Sequence, residues 1–175
     1  MRLSTVLTGL WIAGQTACQE PTSTPASESP GLLASVGPVT ASASGGVQRI
    51  RSDELWVLGF NAVRHADGSA TGNYHVDRQD LGIKFDVDVT CLSVVGDTAW
   101  VGGVIRKVDG PIVIEGTVSY FFVVDKGEEA GAPVDVASAI RINDVAGQDL
   151  VFCNDRPTLL ASGPIDFGNL QVQSF

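Results

Sequence analysis

Apolar and polar side chains alternate without a break from residue 83 to residue 91. The odd positions are apolar and the even positions are polar: Ile83, Phe85, Val87, Val89 and Cys91 against Lys84, Asp86, Asp88 and Thr90. A period of two is typical of a β-strand with one buried face and one face in water. Gly96-Asp97 separates this strand from a second run of branched residues, 99–106. Together they predict an antiparallel hairpin at the centre of the fold.

The same strand character recurs on both sides of this hairpin, with turns between the segments. The segments are 47–52, 55–64, 70–77, 112–125, 134–142, 150–153 and 165–173. No segment gives a convincing helical period, so the chain is predicted to be all-β. An antiparallel up-and-down barrel of about eight strands is favoured, because sequential hairpins close naturally and a closed sheet has no exposed edge. A two-sheet β-sandwich is the alternative.

The turn Asp67-Gly68 sets the expected register of one hairpin. If these two residues form a two-residue turn, Phe60 lies opposite His75. His65 and His75 then point to opposite faces of the sheet and cannot share a metal ion.

The first 46 residues have the composition of a targeting signal followed by a linker. Residues 1–17 resemble an export signal, with Arg2 followed by a short apolar stretch. The residues QTAC that end at Cys18 are similar to a bacterial lipoprotein box, which implies lipidation of Cys18 and a membrane contact through that lipid alone. The alternative is ordinary cleavage nearby and secretion. Residues 18–46 are rich in Ser, Thr, Pro, Ala and Gly, so we expect a disordered linker before a barrel domain at 47–175.

The cysteines fit an exported protein. Three are present, and lipidation of Cys18 would leave Cys91 and Cys153. A pair of cysteines in an oxidising compartment is usually bonded, so a Cys91–Cys153 disulfide is predicted. Two buried thiols are the alternative.

Charge and motifs limit the chemistry. The net charge is −9, and no basic run occurs, which argues against nucleic acid as a partner. No nucleophile, zinc or phosphate-loop motif is found in the sequence, so a function other than catalysis is favoured. No catalytic residue, metal ligand or cofactor is assigned.

Three groups of residues were weighed as candidate chemistry. They are the carboxylate pair Asp86 and Asp88, the acidic cluster Asp125, Glu128, Glu129 and Asp135, and His65 beside Arg64 and Asp67. The carboxylate pair has the spacing of some glycosidase sites, and the cluster has the oxygen ligands that calcium prefers. Solvated strand and turn residues are the preferred interpretation of all three.

Part of the chain resembles a group of exported bacterial β-rich proteins that carry no assigned function. The similarity lies in residues 64–68 with Gly72, in residues 88–96 running into 99–105, and in residues 122–128. It implies an exported single-domain β protein and transfers no catalytic residue.

The predicted function is a small-ligand-binding module at the cell surface or in the periplasm. Five aromatic residues are expected to line an apolar cavity, as in the mouths of small barrels: Trp56, Phe60, Tyr74, Trp100 and Phe122. The partner is then a small apolar ligand. A protein-interaction or structural surface domain, with a protein as partner, is the alternative, and an isomerase or hydrolase is the third possibility.

Overall fold

The computed structural model describes residues 37–51, 54–111 and 113–175. Cys18, the predicted export signal and the predicted linker up to residue 36 lie outside these residues. The described chain forms ten strands and one helix: β1 (Val39–Arg51), β2 (Glu54–His65), β3 (Ala70–Arg78), β4 (Ile83–Val95), β5 (Thr98–Asp109), β6 (Val118–Val124), β7 (Val136–Ser138), β8 (Arg141–Asn143), α1 (Gln148–Asp155), β9 (Ser162–Pro164) and β10 (Phe167–Ser174).

The strands form one antiparallel sheet that curls around a single apolar core. Their order is β10-β1-β2-β3-β4-β5-β6-β7-β9, and β8 pairs with β6. The strands at the two ends of this order, β9 and β10, are consecutive in the chain, so residues 165–166 join the two edges of the sheet. Ile165 N–H donates to the carbonyl of Asp135, and Asp166 N–H donates to that of Gln48. The predicted all-β, barrel-like fold is confirmed.

The first strand begins earlier than expected. β1 starts at Val39, although residues 39–46 were assigned to the disordered linker. Their small side chains suit a crowded pair of strands: Ala41 and Ala43 are buried, and a Cβ at Gly45 would meet the carbonyl oxygen of Asn169 at 2.5 Å. Low hydrophobicity here reflects close approach of β10 rather than disorder.

The predicted strand at residues 150–153 is wrong, because this run lies in α1. A four-residue apolar run cannot distinguish a strand from a helix by itself. The buried residues Asp149, Phe152 and Cys153 have helical spacing, whereas Leu150 and Val151 are exposed. The helix packs on the outside of the barrel, where it covers β4, β5 and β6.

The alternation that begins at Ile83 stops at Val89, two residues before the expected position. The pairing of β4 with β5 shifts between Val89 and Cys91, which is a β-bulge. Leu92 then joins the interior core, and Cys91 turns outward beneath α1.

The β2–β3 hairpin is one residue out of the predicted register, with Phe60 opposite Tyr74. Its loop has three residues, because Gly68 N–H donates to the carbonyl of His65, and Gly68 has a left-handed φ of 86°. His65 and His75 therefore share the outer face. They make separate contacts, His65 with Gly37 and Thr71 and His75 with Asp86.

Candidate ligand site at the open end of the barrel

A cavity of about 240 Å³ opens where β1 and β3 end and β2 and β4 begin. We call this end of the barrel the mouth. The residues that line the cavity are Arg49, Trp56, Val76, Arg78, Leu81, Ile83, Phe85, Val113, Ala139, Ile140, Ile142, Ala161 and Ser162.

The sheet register explains which side chains reach the cavity. Arg49 pairs with Trp56, Trp56 with Arg78, and Arg78 with Ile83, so these four form one row across β1 to β4. Side chains in such a row point to the same face of a sheet. The rows beneath it are Val47-Leu58-Val76-Phe85 and Gly45-Phe60-Tyr74-Val87. These lower rows fill the interior, and the first row forms the floor and wall of the mouth.

Arg49 is held tightly in this row. Its exposed fraction is 5%, and Nη1 donates to the carbonyl of Ala137 at 2.9 Å. Its Cζ lies 5.5 Å from the centroid of the Trp56 ring, within the range of a cation–π contact. The guanidinium group is therefore fixed between a strand carbonyl and an aromatic face.

Arg78 is held from the loop that follows it. Its Nε and Nη2 donate to the two carboxylate oxygens of Asp80 at 3.0 and 2.8 Å. The hydrogen bond from Arg78 lowers the pKa of the Asp80 carboxyl below its ordinary value. Asp80 thus stays charged across the physiological range and neutralises much of the Arg78 charge.

Apolar side chains complete the site. Val76, Ile83 and Phe85 are buried in its lower part. Leu81 and Ile142 keep 48% and 44% of their surface exposed at the rim. A concave apolar surface with a few polar groups that converge on it is the usual form of a small-molecule site.

Only part of the predicted aromatic set reaches this cavity. Trp56 lines it, whereas Phe60 and Tyr74 lie deeper and contact Phe121 edge-on. Trp100 and Phe122 lie on the outer face of the barrel, where they pack with Phe152 of α1.

Sequence reasoning did not identify the two arginines of the site. A signal for them exists, because Arg49 follows Val47 and Arg78 follows Tyr74 and Val76 at inward-facing spacing. A charged residue at such a position is unusual.

Comparisons with protein-family models, curated proteins and solved structures found no match. No helix among residues 37–51, 54–111 and 113–175 is long and apolar enough to cross a membrane.

The predicted disulfide is confirmed, since Cys91 of β4 is bonded to Cys153 of α1. The disulfide is buried at the side of the barrel, away from the mouth. It holds the helix against the outer face.

The other candidate residues have structural partners. His75 Nδ1 lies 2.8 Å from a carboxylate oxygen of Asp86, and Arg106 Nε lies 3.0 Å from one of Asp88. Asp135 accepts a hydrogen bond from the N–H group of Lys126, and Asp125 accepts one from that of Val172. In the part of the chain that the structure describes, no group of three or more His, Cys, Asp or Glu residues is arranged to hold a metal ion.

Proposed function

We propose that this domain binds a small, largely apolar molecule in the cavity at the mouth. The observation that carries the proposal is the contrast between a filled interior and an open cavity at one end, whose wall combines apolar side chains with polar groups. A volume of 240 Å³ corresponds to about eight heavy atoms, if each occupies about the 30 Å³ of a water molecule. This suits a short alkyl chain better than a drug-sized ligand, which needs about 300 Å³ or more.

Export with a lipid anchor at Cys18 is part of the proposal. A buried disulfide suits an oxidising compartment, which supports export. The described chain enters the barrel at Gly37, beside Ala66 of the β2–β3 turn and at the end opposite the mouth. Replacing Cys18 with Ser should release the protein from membranes, and unchanged fractionation would refute lipidation.

Calorimetric titration with 1-octanol tests ligand binding. We expect one saturable site in the wild-type protein. The substitution Ala161→Trp should abolish this site, because Ala161 is exposed at the cavity wall and a large ring there fills the space. Ala130→Trp is the matched control, since Ala130 is exposed in a loop that does not line the cavity. Absence of saturable binding, or undiminished binding by Ala161→Trp, would overturn the proposal.

A protein partner is the second candidate function. Ile114 keeps 71% of its surface exposed near Ile142 of the rim, and exposed apolar surface of this kind is typical of interaction sites. If a protein binds this surface, the substitution Ile114→Glu should abolish its binding. Binding of 1-octanol should be unaffected by that substitution, because Ile114 does not line the cavity.

A further inference from the structure

We infer that this protein has a second binding site, a groove at the end of the barrel opposite the mouth, which binds a phosphate group through Arg64 and Arg156. The groove has a volume of about 280 Å³ and shares no lining residue with the apolar cavity of the mouth. The ligand is a phosphate ester, either a soluble molecule or the head group of a lipid. This inference does not depend on what the mouth binds.

The groove forms where β3 and β4 separate. The ladder between these strands ends at the pair Asn73 and Asp88, and β4 continues beyond it beside β5 alone among the described strands. Residues 90–94 of β4 form the floor of the groove. The β2–β3 hairpin forms one wall, which carries Arg64, and α1 with the residue after it forms the other, which carries Arg156. The disulfide bonds the floor to α1, so the second wall is fixed in place.

Arg64 and Arg156 carry charges that no described carboxylate neutralises. Both side chains are exposed, and neither forms an ion pair within the described chain, although Lys84, Arg106 and Lys126 each do so. None of the described residues that line the groove is acidic. Three carboxylates lie close to these residues in sequence, and each accepts a hydrogen bond from a neutral side chain: Asp67 from Ser69, Asp149 from Thr90 and Asp155 from Asn154. The groove is therefore locally positive in a chain whose net charge is −9, and it attracts an anion.

Arg156 has a backbone conformation that favours glycine. Its φ is 54° and its ψ is 49°, and it is the one non-glycine residue of the described ranges with a positive φ. Glycine or asparagine is the usual residue in this conformation at the end of a helix, because a Cβ makes the left-handed region costly. A residue that is kept at such a position despite this cost points to a role for its side chain.

The donors of the two arginines are placed for a ligand. The Nε of Arg156 donates to the carbonyl of Asn154 at 3.3 Å, and its Nη1 and Nη2 form no hydrogen bond within the described chain. Arg64 is held through its backbone, where its carbonyl accepts from Thr40 Oγ1 at 3.2 Å. The guanidinium groups therefore approach from opposite walls. A tetrahedral phosphate directs its oxygens to both sides, whereas the two oxygens of a carboxylate lie in one plane, so the arrangement favours phosphate.

Calorimetric titration of the wild-type protein with glycerol 3-phosphate tests the site, and glycerol is the uncharged control. We expect one saturable site for glycerol 3-phosphate. Glycerol should bind at least about tenfold more weakly, because it cannot form charge-assisted hydrogen bonds to the arginines. Equal binding of the two molecules would overturn the inference and leave the proposed function of the mouth untouched.

Variants separate the groove from general effects of charge. Arg64→Gln and Arg156→Gln should each weaken the binding of glycerol 3-phosphate about tenfold and leave the binding of 1-octanol unchanged. Arg141→Gln is the matched control, because Arg141 is exposed in β8 and does not line the groove. Unchanged affinity in both groove variants, or an equal loss in Arg141→Gln, contradicts the inference.

The substitution Arg156→Gly distinguishes binding from folding. Glycine adopts a positive φ without strain, so the urea midpoint should rise while the affinity for glycerol 3-phosphate falls about tenfold. A lower midpoint, or a higher midpoint with unchanged affinity, would overturn the role assigned to Arg156.

Vesicle sedimentation identifies the source of the phosphate group. If the ligand is a lipid head group, the Cys18→Ser protein should sediment with phosphatidylglycerol vesicles, and Arg64→Gln or Arg156→Gln in that background should abolish the binding. Saturable binding of glycerol 3-phosphate without sedimentation assigns the site to a soluble phosphate ester. Failure of both probes to bind overturns the inference.

Discussion

The aromatic layer in the middle of the barrel contains two buried hydroxyl groups, those of Tyr74 and Ser119. Phe60 and Tyr74 each contact Phe121 edge-on, with ring centroids 5.3 and 5.1 Å apart. These two hydroxyls interact with each other, but neither has a hydrogen-bond partner of good geometry among the described residues. Burial raises the pKa of the Tyr74 phenol far above its ordinary value, so the group stays protonated. An unsatisfied buried hydroxyl costs about 1–3 kcal/mol.

Tyr74→Phe should therefore make the protein more stable. Removing the buried oxygen keeps the edge-on contact with Phe121 and removes the desolvation cost. We expect the free energy of unfolding to rise by about 1 kcal/mol, measured by urea denaturation. Tyr120→Phe is the control, because Tyr120 is half-buried and stacks on Phe152. A loss of stability in Tyr74→Phe would contradict this account.

A hydrogen bond between His75 and Asp86, on the outer face of β3 and β4, makes a pH-dependent contribution to the free energy of unfolding. The hydrogen bond from His75 lowers the pKa of the Asp86 carboxyl below its ordinary value. A lowered carboxyl pKa adds stability at pH values above the unfolded-state pKa, about 4, and the contribution disappears as the pH falls through the folded-state pKa.

The substitution His75→Ala should reveal this contribution. Relative to wild type, we expect a loss of about 0.5 kcal/mol near pH 5, because the pair is exposed and screened by solvent. The difference should shrink towards zero as the pH falls through the lowered folded-state pKa of Asp86. Urea denaturation at a series of pH values measures it, and a difference that grows in acid would show that the sign is wrong.

At the scale of elements, α1 is attached to the barrel by several contacts. Cys153 is bonded to Cys91, and the buried Asp149 accepts a hydrogen bond from Thr90. The helix comes so close that a Cβ at Gly102 would lie 2.9 Å from the Asp149 side chain. Trp100 Nε1 donates to the carbonyl of Pro157 just after the helix. The helix therefore covers Trp100 and Phe122 on the outer face of the barrel, where its own Phe152 packs against them.

Loss of the disulfide should destabilise the domain without changing its strands. The bond links residues 62 positions apart, so the double variant Cys91→Ala/Cys153→Ala should lose about 3 kcal/mol of unfolding free energy. Far-ultraviolet circular dichroism should keep its strand signal, because the sheet register does not depend on the bond. Binding of 1-octanol should also persist, since neither cysteine lines the mouth. Collapse of the strand signal would show that the bond is required for the fold itself.

At the scale of the whole molecule, carboxylates complete the curl of the sheet. No backbone ladder joins β6 to β10 among the described strands. Instead, Asp135 accepts hydrogen bonds from the N–H groups of Lys126 and Leu170, and Asp125 accepts from those of Gly127 and Val172. The loop of residues 125–135, which we call the acidic loop, thus caps the second edge of β10. Without it, that edge would expose unpaired backbone N–H groups.

Asp135→Asn should weaken this closure. An amide offers one oxygen and places an NH₂ group against the other backbone donor, so one buried N–H loses its acceptor. We expect a loss of about 2 kcal/mol in unfolding free energy and faster hydrogen exchange at Leu170. Glu129→Gln, in the exposed part of the same loop, is the matched control. Unchanged exchange at Leu170 would argue against a closing role for Asp135.

Structural features that depend on neighbouring residues could be predicted from the sequence, and features that depend on residues far apart in the chain could not. The period of two identified the first half of β4, residues 83–89, because side chains alternate there by a local rule. The turn Gly96-Asp97 and the branched residues after it identified β5. The bulge after Val89 and the three-residue loop at Gly68 depend on how two strands meet, which one strand does not encode. The roles of Asp125 and Asp135 in closing the sheet were not predictable, since the β10 residues that they contact lie 35 or more positions away in the sequence.

The candidate site was predictable only in part for the same reason. Trp56 was identified by its aromatic character. Arg49 and Arg78 were missed because a charged residue at the end of a strand usually faces water, although their spacing from Val47 and Val76 places them on the inner face. Trp100 and Phe122 were grouped with the interior because the helix that covers them was not anticipated.

The pairing of the first and last strands has a mechanical consequence. Ala41 of β1 pairs with Ser174 of β10, and Phe175 N–H donates to the carbonyl of Thr40, so residues 37 and 175 leave the pair at the same end. Hydrogen bonds in an antiparallel ladder run perpendicular to the strands. A pulling force applied between these two positions therefore loads the bonds one after another, as in opening a zipper, rather than all together in shear. The domain should yield at low force when stretched from its ends, however stable it is towards urea.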